Sequence, residues 1–333
     1  MSPAFSAPTR LPRKGWRRSS ASRRGGNELR YSGSEGKGRY LLVLNRKAGS
    51  VDAGRLRRTL GGAFAFRGMP FDLVEVAEPG DGEEAARQGV AAGYRAVVAV
   101  GGDGTLAEVV TGLAGSGVPL GVIPQGTGNQ VAGNLGIPHD LERAVDFIQA
   151  GRSAPMDLGQ IVGGRYFALM AGAGWDAEVM AVATQKMKDR WGFGAYLYAG
   201  LRKSLAPASS HFHIVADGRE LEVRAATVLV ANVGQIVARL LPVGVRVGPD
   251  ISFRDGLLDV CVFAPRTLPG VAAVLWRVAR KRYRGDDRML YLQAREVTVE
   301  SETPVVTQLD GDPLGETPLS ARAVPEGVRV LVP

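Results

Sequence analysis

A single cysteine, Cys261, stands in 333 residues, so no disulfide can form within the chain. It lies in the apolar run LLDVCVFA, where a buried packing role is expected, and one free thiol fits a reducing compartment, the cytoplasm by default. Histidine is nearly as scarce, with only His139, His211 and His213. His211 and His213 alternate along HFHIVA and so share one face of a strand, but no Cys/His/Asp cluster of zinc spacing accompanies them, and a partly exposed structural face is expected. There is no nucleophile elbow and no catalytic motif around Cys261, which excludes serine- and cysteine-hydrolase chemistry. Long apolar runs are also missing. The longest uncharged stretch, Val109 to Pro138, is broken repeatedly by glycine and proline, whereas a bilayer crossing needs about 20 uninterrupted apolar residues.

Excess charge is confined to one end. The formal net charge is +8, yet residues 1–38 hold nine Lys/Arg against Glu28 and Glu35, leaving 32 basic against 31 acidic residues over 39–333. The basic segment is rich in Arg, Ser and Gly and poor in apolar side chains, so it is expected to be a disordered, solvated tail. An arm for anionic membrane or nucleic acid, or a transit segment, are its functional alternatives, and it lacks the apolar core of a secretory signal. A nucleic-acid-binding role would rest on this tail alone, so nucleic acid is not expected as a partner.

What remains is ample apolar material, 45% of the chain, enough for two domains. From residue 39 short apolar runs alternate with helix-period segments. The pattern predicts strands over Tyr40–Leu44, Phe71–Val76, Ala96–Val100 and Leu120–Ile123, with helices over Ala53–Ala63, Glu83–Ala91, Thr105–Leu113, Gln130–Asn134 and Leu141–Ala150. Continuously apolar strands such as AVVAV are buried on both faces, the situation of a parallel sheet covered by helices on each side. Beyond Gly151 the texture changes to strand pairs joined by turn dipeptides: MDLGQIV-GG-RYFALMAGAG, HFHIVA-DG-RELEVRAATVLVAN, then DGLLDVCVFA and AREVTVES. This half reads as antiparallel, interrupted by helices over roughly 183–204 and 268–283 and closed by a strand pair at Leu319–Ala323 and Val328–Val332.

Three strand ends in the first half carry the same residue types: Asn45-Arg46-Lys47-Ala48-Gly49, Gly101-Gly102-Asp103-Gly104-Thr105 and Gln125-Gly126-Thr127-Gly128-Asn129. Parallel strands bring their C-terminal ends to one sheet edge, where ligands bind. Glycines admit phosphate oxygens close to backbone N–H groups, and the following helices offer their positive ends, with the Thr105 and Thr127 hydroxyls as further donors. Glycine at one such turn is explained by sterics alone; three together predict a polyphosphate edge. Neither the Gly-Lys-Ser/Thr ending of a P-loop nor the spacing of a dinucleotide fingerprint is present.

VVAVGGDGTLAEVVTGL followed by LGVIPQGTGNQVAGNLGIP resembles the diacylglycerol kinase catalytic-domain superfamily, which includes diacylglycerol kinases, sphingosine kinases and bacterial lipid kinases. NRKAG, MDLG, FALMAGAGWDAEV, DGLLDV and LDGD extend the resemblance over about residues 39–333. It implies an α/β nucleotide-binding domain at 39–154, with a parallel sheet and helices on both faces, and an antiparallel β-sandwich lipid-substrate domain at 155–333, whose last strands are candidates to return to the first domain. ATP and Mg²⁺ would lie in the cleft between them. By position, Asn45, Gly49, Gly101, Gly102, Asp103, Gly104, Thr105, Leu106, Ala107, Gly126, Thr127 and Asn129 would form the nucleotide site, Asp103 near the magnesium-bound phosphates, with Glu108 in support. Ala107 departs from the family's usual Asn, Arg46 from a frequent Pro, and Ala77 or Glu78 from a nucleotide-contacting Thr.

Taken by residue chemistry alone, Asp310-Gly311 between apolar strands is a hairpin turn. The resemblance makes Asp310 the general base for the acceptor hydroxyl, and Asp312, where the family has Glu, a support for metal or geometry. It likewise assigns Asp255, with the backbone carbonyls of Ser252 and Leu257, to a structural Mg²⁺, although FRDGLLDV also reads as a plain turn; oxygen ligands suit this ion. The implied acceptor is a lipid alcohol. TLPGVAAVLWRVARKRYRGDD is either a basic amphipathic helix meeting anionic headgroups or a core helix with a solvated basic end, and peripheral membrane contact follows from the former. Aromatics at Trp191, Phe193, Tyr196 and Tyr198 are candidates to line a lipid-tail pocket. NAD kinase, which shares the GGDGT loop, and a degenerate ATP-binding regulator, suggested by Ala107 and Asp312, are the alternatives.

Overall fold

A computed structural model describes residues 36–46, 53–175, 209–236 and 245–333. Gly49, the predicted helix near 183–204 with its aromatic residues, and nearly all of the basic tail lie outside the described residues.

The first half alternates strand and helix: β1 (Tyr40–Asn45), α1 (Ala53–Phe66), β2 (Phe71–Val76), α2 (Asp81–Ala91), β3 (Ala96–Gly101), α3 (Asp103–Leu113), β4 (Leu120–Pro124), α4 (Gln130–Asn134) and α5 (Leu141–Ala150). The strands pair in parallel in the order β2-β1-β3-β4. Every residue of β3 is buried, which requires cover on both faces and explains the unbroken apolar run. Helix α1 packs beside α5, and α2 beside α3. Sequence boundaries are sharp where capping chemistry is present: the Asp140 carboxylate accepts from the Arg143 N–H at the start of α5, and Gly151 ends it at φ 69°.

The second half adds β5 (Ser153–Ile161), β6 (Tyr166–Phe167), β7 (Met170–Gly174), β8 (Ser210–Ala216), β9 (Arg219–Ala225), β10 (Thr227–Ala231), β11 (Gln235–Ile236), β12 (Val245–Arg246) and β13 (Leu258–Phe263). Then come α6 (Leu268–Ala279), β14 (Met289–Ala294), β15 (Glu296–Ser301), β16 (Val306–Leu309), β17 (Asp312–Glu316) and β18 (Leu319–Leu331). One sheet runs β14-β13-β10-β7-β16-β17. Its inner residues Ala171, Val228, Val230, Val260 and Leu309 share a core with Phe212, Ile214, Val297, Val299 and Leu319 of the sheet facing it. The fold class is therefore as expected, a parallel α/β unit followed by an antiparallel β-sandwich. Cys261 is fully buried, and burial pushes its thiol pKa up. On β8, Phe212, Ile214 and Ala216 point inward and the two histidines outward, His213 lying 3.5 Å from Glu220 and 3.6 Å from Glu300.

Three sequence expectations change. Helix α6 stops at Ala279, and Tyr283 instead sits in the following loop, donating its hydroxyl to the Arg246 carbonyl at 3.0 Å. Strand β14 (MLYLQA) is an element the pattern leaves unmarked. The two terminal strands are one, β18, which carries a bulge between Val324 and Val328 in its pairing with β5. Glu326 sits at φ 51° there, and a side chain on Gly327 would collide with Leu158, so Pro325-Glu326-Gly327 is a bulge against β5 and not a turn. β18 pairs with β15 and β5 in the sandwich and, through Val330 beside Leu120, in parallel with β4. The parallel sheet of the first half and one of the two sheets of the sandwich are thus one continuous sheet.

Asp157 on β5 pins this junction. Only 3% exposed, its carboxylate accepts from the Gly256 N–H at 2.7 Å and from the Glu326 N–H at the bulge at 2.8 Å. Asp157→Ala strands two backbone donors, and chemical denaturation is expected to show a loss of about 2–5 kcal/mol.

Candidate active site

The glycine turns after β3 and β4 meet backbone to backbone. A Cβ on Gly102 would stand 3.2 Å from the Gly126 Cα, and one on Gly126 would overlap the Gly102 Cα. The Gln125 N–H donates to the Gly101 carbonyl at 2.8 Å, and a Cβ on Gly101 would meet Thr105 Oγ1 at 2.5 Å. Glycine is needed here for close approach between the two loops. Asn129, at φ 49° and 4% exposed, closes the second turn by accepting from the Gly126 N–H at 2.9 Å and donating to its carbonyl at 2.7 Å, with His139 Nδ1 at 3.3 Å from the same amide nitrogen. Asn45 at the end of β1 donates to Thr105 Oγ1 at 3.0 Å, tying the first loop to the second. Thr127 and Gly128 are exposed at the edge.

Several candidates serve this edge from behind. The Asp103 carboxylate accepts from the Val131 N–H at 3.2 Å, so it holds the turn before α4 against the start of α3. Burial raises its pKa, opposed by the N–H groups of Gln130, Val131 and Asn129. Glu108 turns to the start of α2, accepting from Gly80 and Gly82 N–H groups at 2.9 Å each. Through it α3 also fixes the loop containing Ala77 and Glu78. Leu106 is a core side chain, 4% exposed, and Ala107 is half-buried with its carbonyl accepting from Thr111. What α3 offers outward is its first turn, with Gly104 exposed and N–H groups that have no intrahelical partner.

The β16–β17 hairpin reaches this turn. Asp310 and Gly311 occupy its tip at φ 49° and 93°, so the turn chemistry read from the sequence holds. A Cβ on Gly104 would lie 4.0 Å from Asp312 Oδ2, placing that exposed carboxylate at the start of α3. Asp310 is held rigidly: Oδ1 accepts from the Leu169 and Met170 N–H groups and Oδ2 from that of Ala168, all at 2.9 Å. Its own N–H donates to the Met170 carbonyl at 2.9 Å. Burial pushes its pKa up to about 6 against those three donors, and the Asp103 charge adds to the rise. A carboxylate has about four lone-pair sites, so one remains, on Oδ2.

Sequence reasoning missed the groups that aim Asp310. Asn232, fully buried after β10, donates to the carbonyls of Asp157 at 2.8 Å and Ala168 at 2.9 Å, fixing the 168–170 backbone. The only signal was a polar residue ending the apolar run AATVLVAN.

Ser252, Asp255 and Leu257 lie apart from these loops, in the turn before β13. Asp255 Oδ1 accepts from the Leu257 N–H at 3.1 Å, and Gln293 approaches Oδ2 at 3.5 Å. Asp259, 6% exposed, has an Oδ2 with no hydrogen-bond partner among the described residues. Burial and the Asp255 charge push its pKa up to about 7. Among the described residues no three His, Cys, Asp or Glu side chains are grouped to hold a metal. An orphaned buried carboxylate oxygen near Asp255 nevertheless suits a hard cation completed by backbone carbonyls. In the sheet register Asp259 lies in the row Met170–Ala231–Asp259–Gln293, the end of the sheet where Asp310 bonds to Met170.

Comparison with known proteins bears on this arrangement. Residues 39–161 match the diacylglycerol kinase catalytic domain, and residues 170–332 the YegS C-terminal NAD kinase beta sandwich-like domain. A diacylglycerol kinase of Bacillus subtilis (strain 168) is 32% identical over 248 residues, 72% of this chain and 78% of that protein. A Pseudomonas putida protein named "Probable lipid kinase YegS-like" is 28% identical over 302 residues, 90% of this chain and 96% of that one. The chain spans 58% of a longer Synechocystis relative at 29% identity. A solved structure described as a diacylglycerol kinase from Bacillus anthracis str. Sterne shares the fold with a TM-score of 0.67 at 21% identity, over 89% of this chain and 97% of that one.

Because the two glycine turns touch through their backbones, Gly126→Ala is expected to force them apart and to lower stability by about 1–3 kcal/mol in denaturant titration.

Proposed function

The chain belongs to the diacylglycerol kinase catalytic-domain family, and from that membership we propose that it is an ATP-dependent lipid kinase, transferring the γ-phosphate of ATP to a hydroxyl of diacylglycerol or a related lipid alcohol. Residues 39–154 take the nucleotide and 155–333 the acceptor. The observation that carries the reading is the position of Asp310, a carboxylate with an elevated pKa and one open lone pair, on a hairpin whose Asp312 meets the first turn of α3.

The phosphates lie along the edge made by Gly101–Thr105, Gln125–Asn129 and the loop after Asn45, where glycine backbone and the positive end of α3 favour anions. Asp312, with Asp103 behind it, would hold Mg²⁺, which when bound neutralises phosphate charge. The acceptor hydroxyl donates its proton to Asp310 Oδ2 as its oxygen bonds to the γ-phosphorus. The bond from that phosphorus to the bridging oxygen breaks, and ADP leaves with that electron pair. The three N–H donors orient the carboxylate, and burial raises its basicity. The enzyme works from the cytoplasm, in peripheral contact with the membrane where its acceptor resides.

Purified protein incubated with labelled ATP, Mg²⁺ and separate panels of diacylglycerols, long-chain bases, other lipid alcohols and NAD is expected to label a lipid alcohol. Labelling of NAD alone would replace this reading with the NAD kinase one, and ATP binding without any transfer would replace it with a regulator. Asp310→Asn is expected to fold and bind ATP while turnover drops about 10²-fold or more. Asp310 acts only when ionised, so kcat/KM for the lipid should fall as pH is lowered through about 6 and level off above it. A profile flat between pH 5 and 8 would remove Asp310 from the base role.

A further inference from the structure

Among the described residues, helix α6 is covered on one side only. Val274 and Val278 are buried against Tyr283 and Met289, with Phe263 and Tyr291 packed beside them on the outer face of the β14-β13-β10-β7 sheet. Its other side carries Pro269, Ala272, Leu275, Trp276 and Ala279, all exposed and none of them polar. Leu275 is 63% and Trp276 50% exposed. A solvent-facing helix ordinarily turns charged residues outward, so an apolar outer face calls for a partner.

The charges next to this face define that partner. Arg280, Lys281, Arg282 and Arg284 follow the helix, all exposed, against a single exposed acid, Asp287. The other acid, Asp286, is occupied: Arg288 engages both of its oxygens at 2.7 and 2.8 Å, and Arg277 lies 3.2 Å from Oδ2. The Arg280 and Arg282 guanidinium groups stand 5.8 and 5.4 Å from the centre of the Trp276 ring. An indole exposed on an apolar helix face and flanked by guanidinium groups matches the level at which acyl chains give way to headgroups, where aromatic rings and cations both find partners.

We propose that the outer face of α6 is the surface by which this protein docks on an anionic phospholipid bilayer, Leu275 and Trp276 entering the acyl boundary and Arg280, Lys281, Arg282 and Arg284 meeting the headgroup phosphates. The proposal gives a place to the membrane contact assumed for the kinase reading, but it stands on the exposed face and its charges and not on Asp310. A bilayer and not a second protein is favoured by the pairing of one apolar face with a dense cationic border and almost no acid to complement.

The test is co-sedimentation of the full chain with phosphatidylcholine vesicles, with and without about a third phosphatidylglycerol, a composition that supplies the negative surface potential basic residues sense. The unaltered protein is expected to bind the anionic vesicles and to bind neutral ones far less. Leu275→Ala combined with Trp276→Ala is expected to weaken that binding at least tenfold, and Arg280→Ala with Arg282→Ala to remove most of its dependence on phosphatidylglycerol. The basic tail is identical in all variants, so equal vesicle binding by the unaltered protein and the Leu275/Trp276 variant overturns the proposal. So does concentration-dependent self-association in sedimentation velocity that the same pair abolishes with vesicle binding unchanged, which makes the face a contact between copies. Transfer to lipid dispersed in detergent micelles is expected to survive in the Leu275/Trp276 variant, which supports a docking role. Loss of that transfer with fold intact would move the face into the acceptor site and overturn docking as its role. If the unaltered protein phosphorylates no lipid alcohol yet loses vesicle binding with these substitutions, the kinase reading fails and docking stands.

Discussion

Three backbone N–H groups, those of Ala168, Leu169 and Met170, converge on the Asp310 carboxylate, and the aim of that side chain toward the cleft edge depends on that convergence. The donors lie in the segment that leads into β7, with Met170 as its first residue, and the acceptor sits at the tip of the hairpin formed by the neighbouring strand β16. Asn232 and Asp157 hold the donor segment from behind, and Asp157 also grips the bulge in β18, the strand that carries the sandwich into the parallel sheet. A carboxylate so fixed gives up little orientation entropy when it meets a substrate. It is also kept basic, because burial outweighs the three hydrogen bonds.

The glycine edge works by a complementary principle. Where the hairpin presents charge, the loops present backbone, and they do so by removing side chains at Gly101 and Gly126, where a single methyl group would collide, and at Gly102, where it would be tightly crowded. The polar residues around them act largely inward: Asn129 closes its own turn, Asp103 binds the next helix, and Glu108 grips the loop before α2. Acids therefore stiffen the scaffold while N–H groups are left to face an anion, consistent with a site for a polyanionic ligand.

Most elements of the first half were legible because each carries its own signal. Unbroken apolar runs marked β1, β3 and β4, and Gly151 marked the end of α5. Turn dipeptides at Gly163-Gly164, Asp217-Gly218 and Asp310-Gly311 marked hairpins. The bulge in β18 was misread because Pro325-Glu326-Gly327 has turn composition, and whether such a stretch reverses the chain depends on the strand beside it. Strand β14 escaped because its alternation is weak at an edge. The roles of Asp157 and Asn232 were invisible, since each is a lone polar residue whose partners lie 64 or more positions away.

By itself the sequence determined the order and type of most elements, the glycine turns and the residue types needed for phosphate and proton chemistry, because these follow from local periodicity, backbone freedom and side-chain identity. Tertiary structure alone decided that Asp310 is aimed by the 168–170 backbone, that Asp103 and Glu108 face helix starts, that one strand serves both halves, and that α6 keeps an apolar side outward. Each of these depends on which groups approach across large sequence separations, and that is set by how the two sheets pack and not by any local pattern.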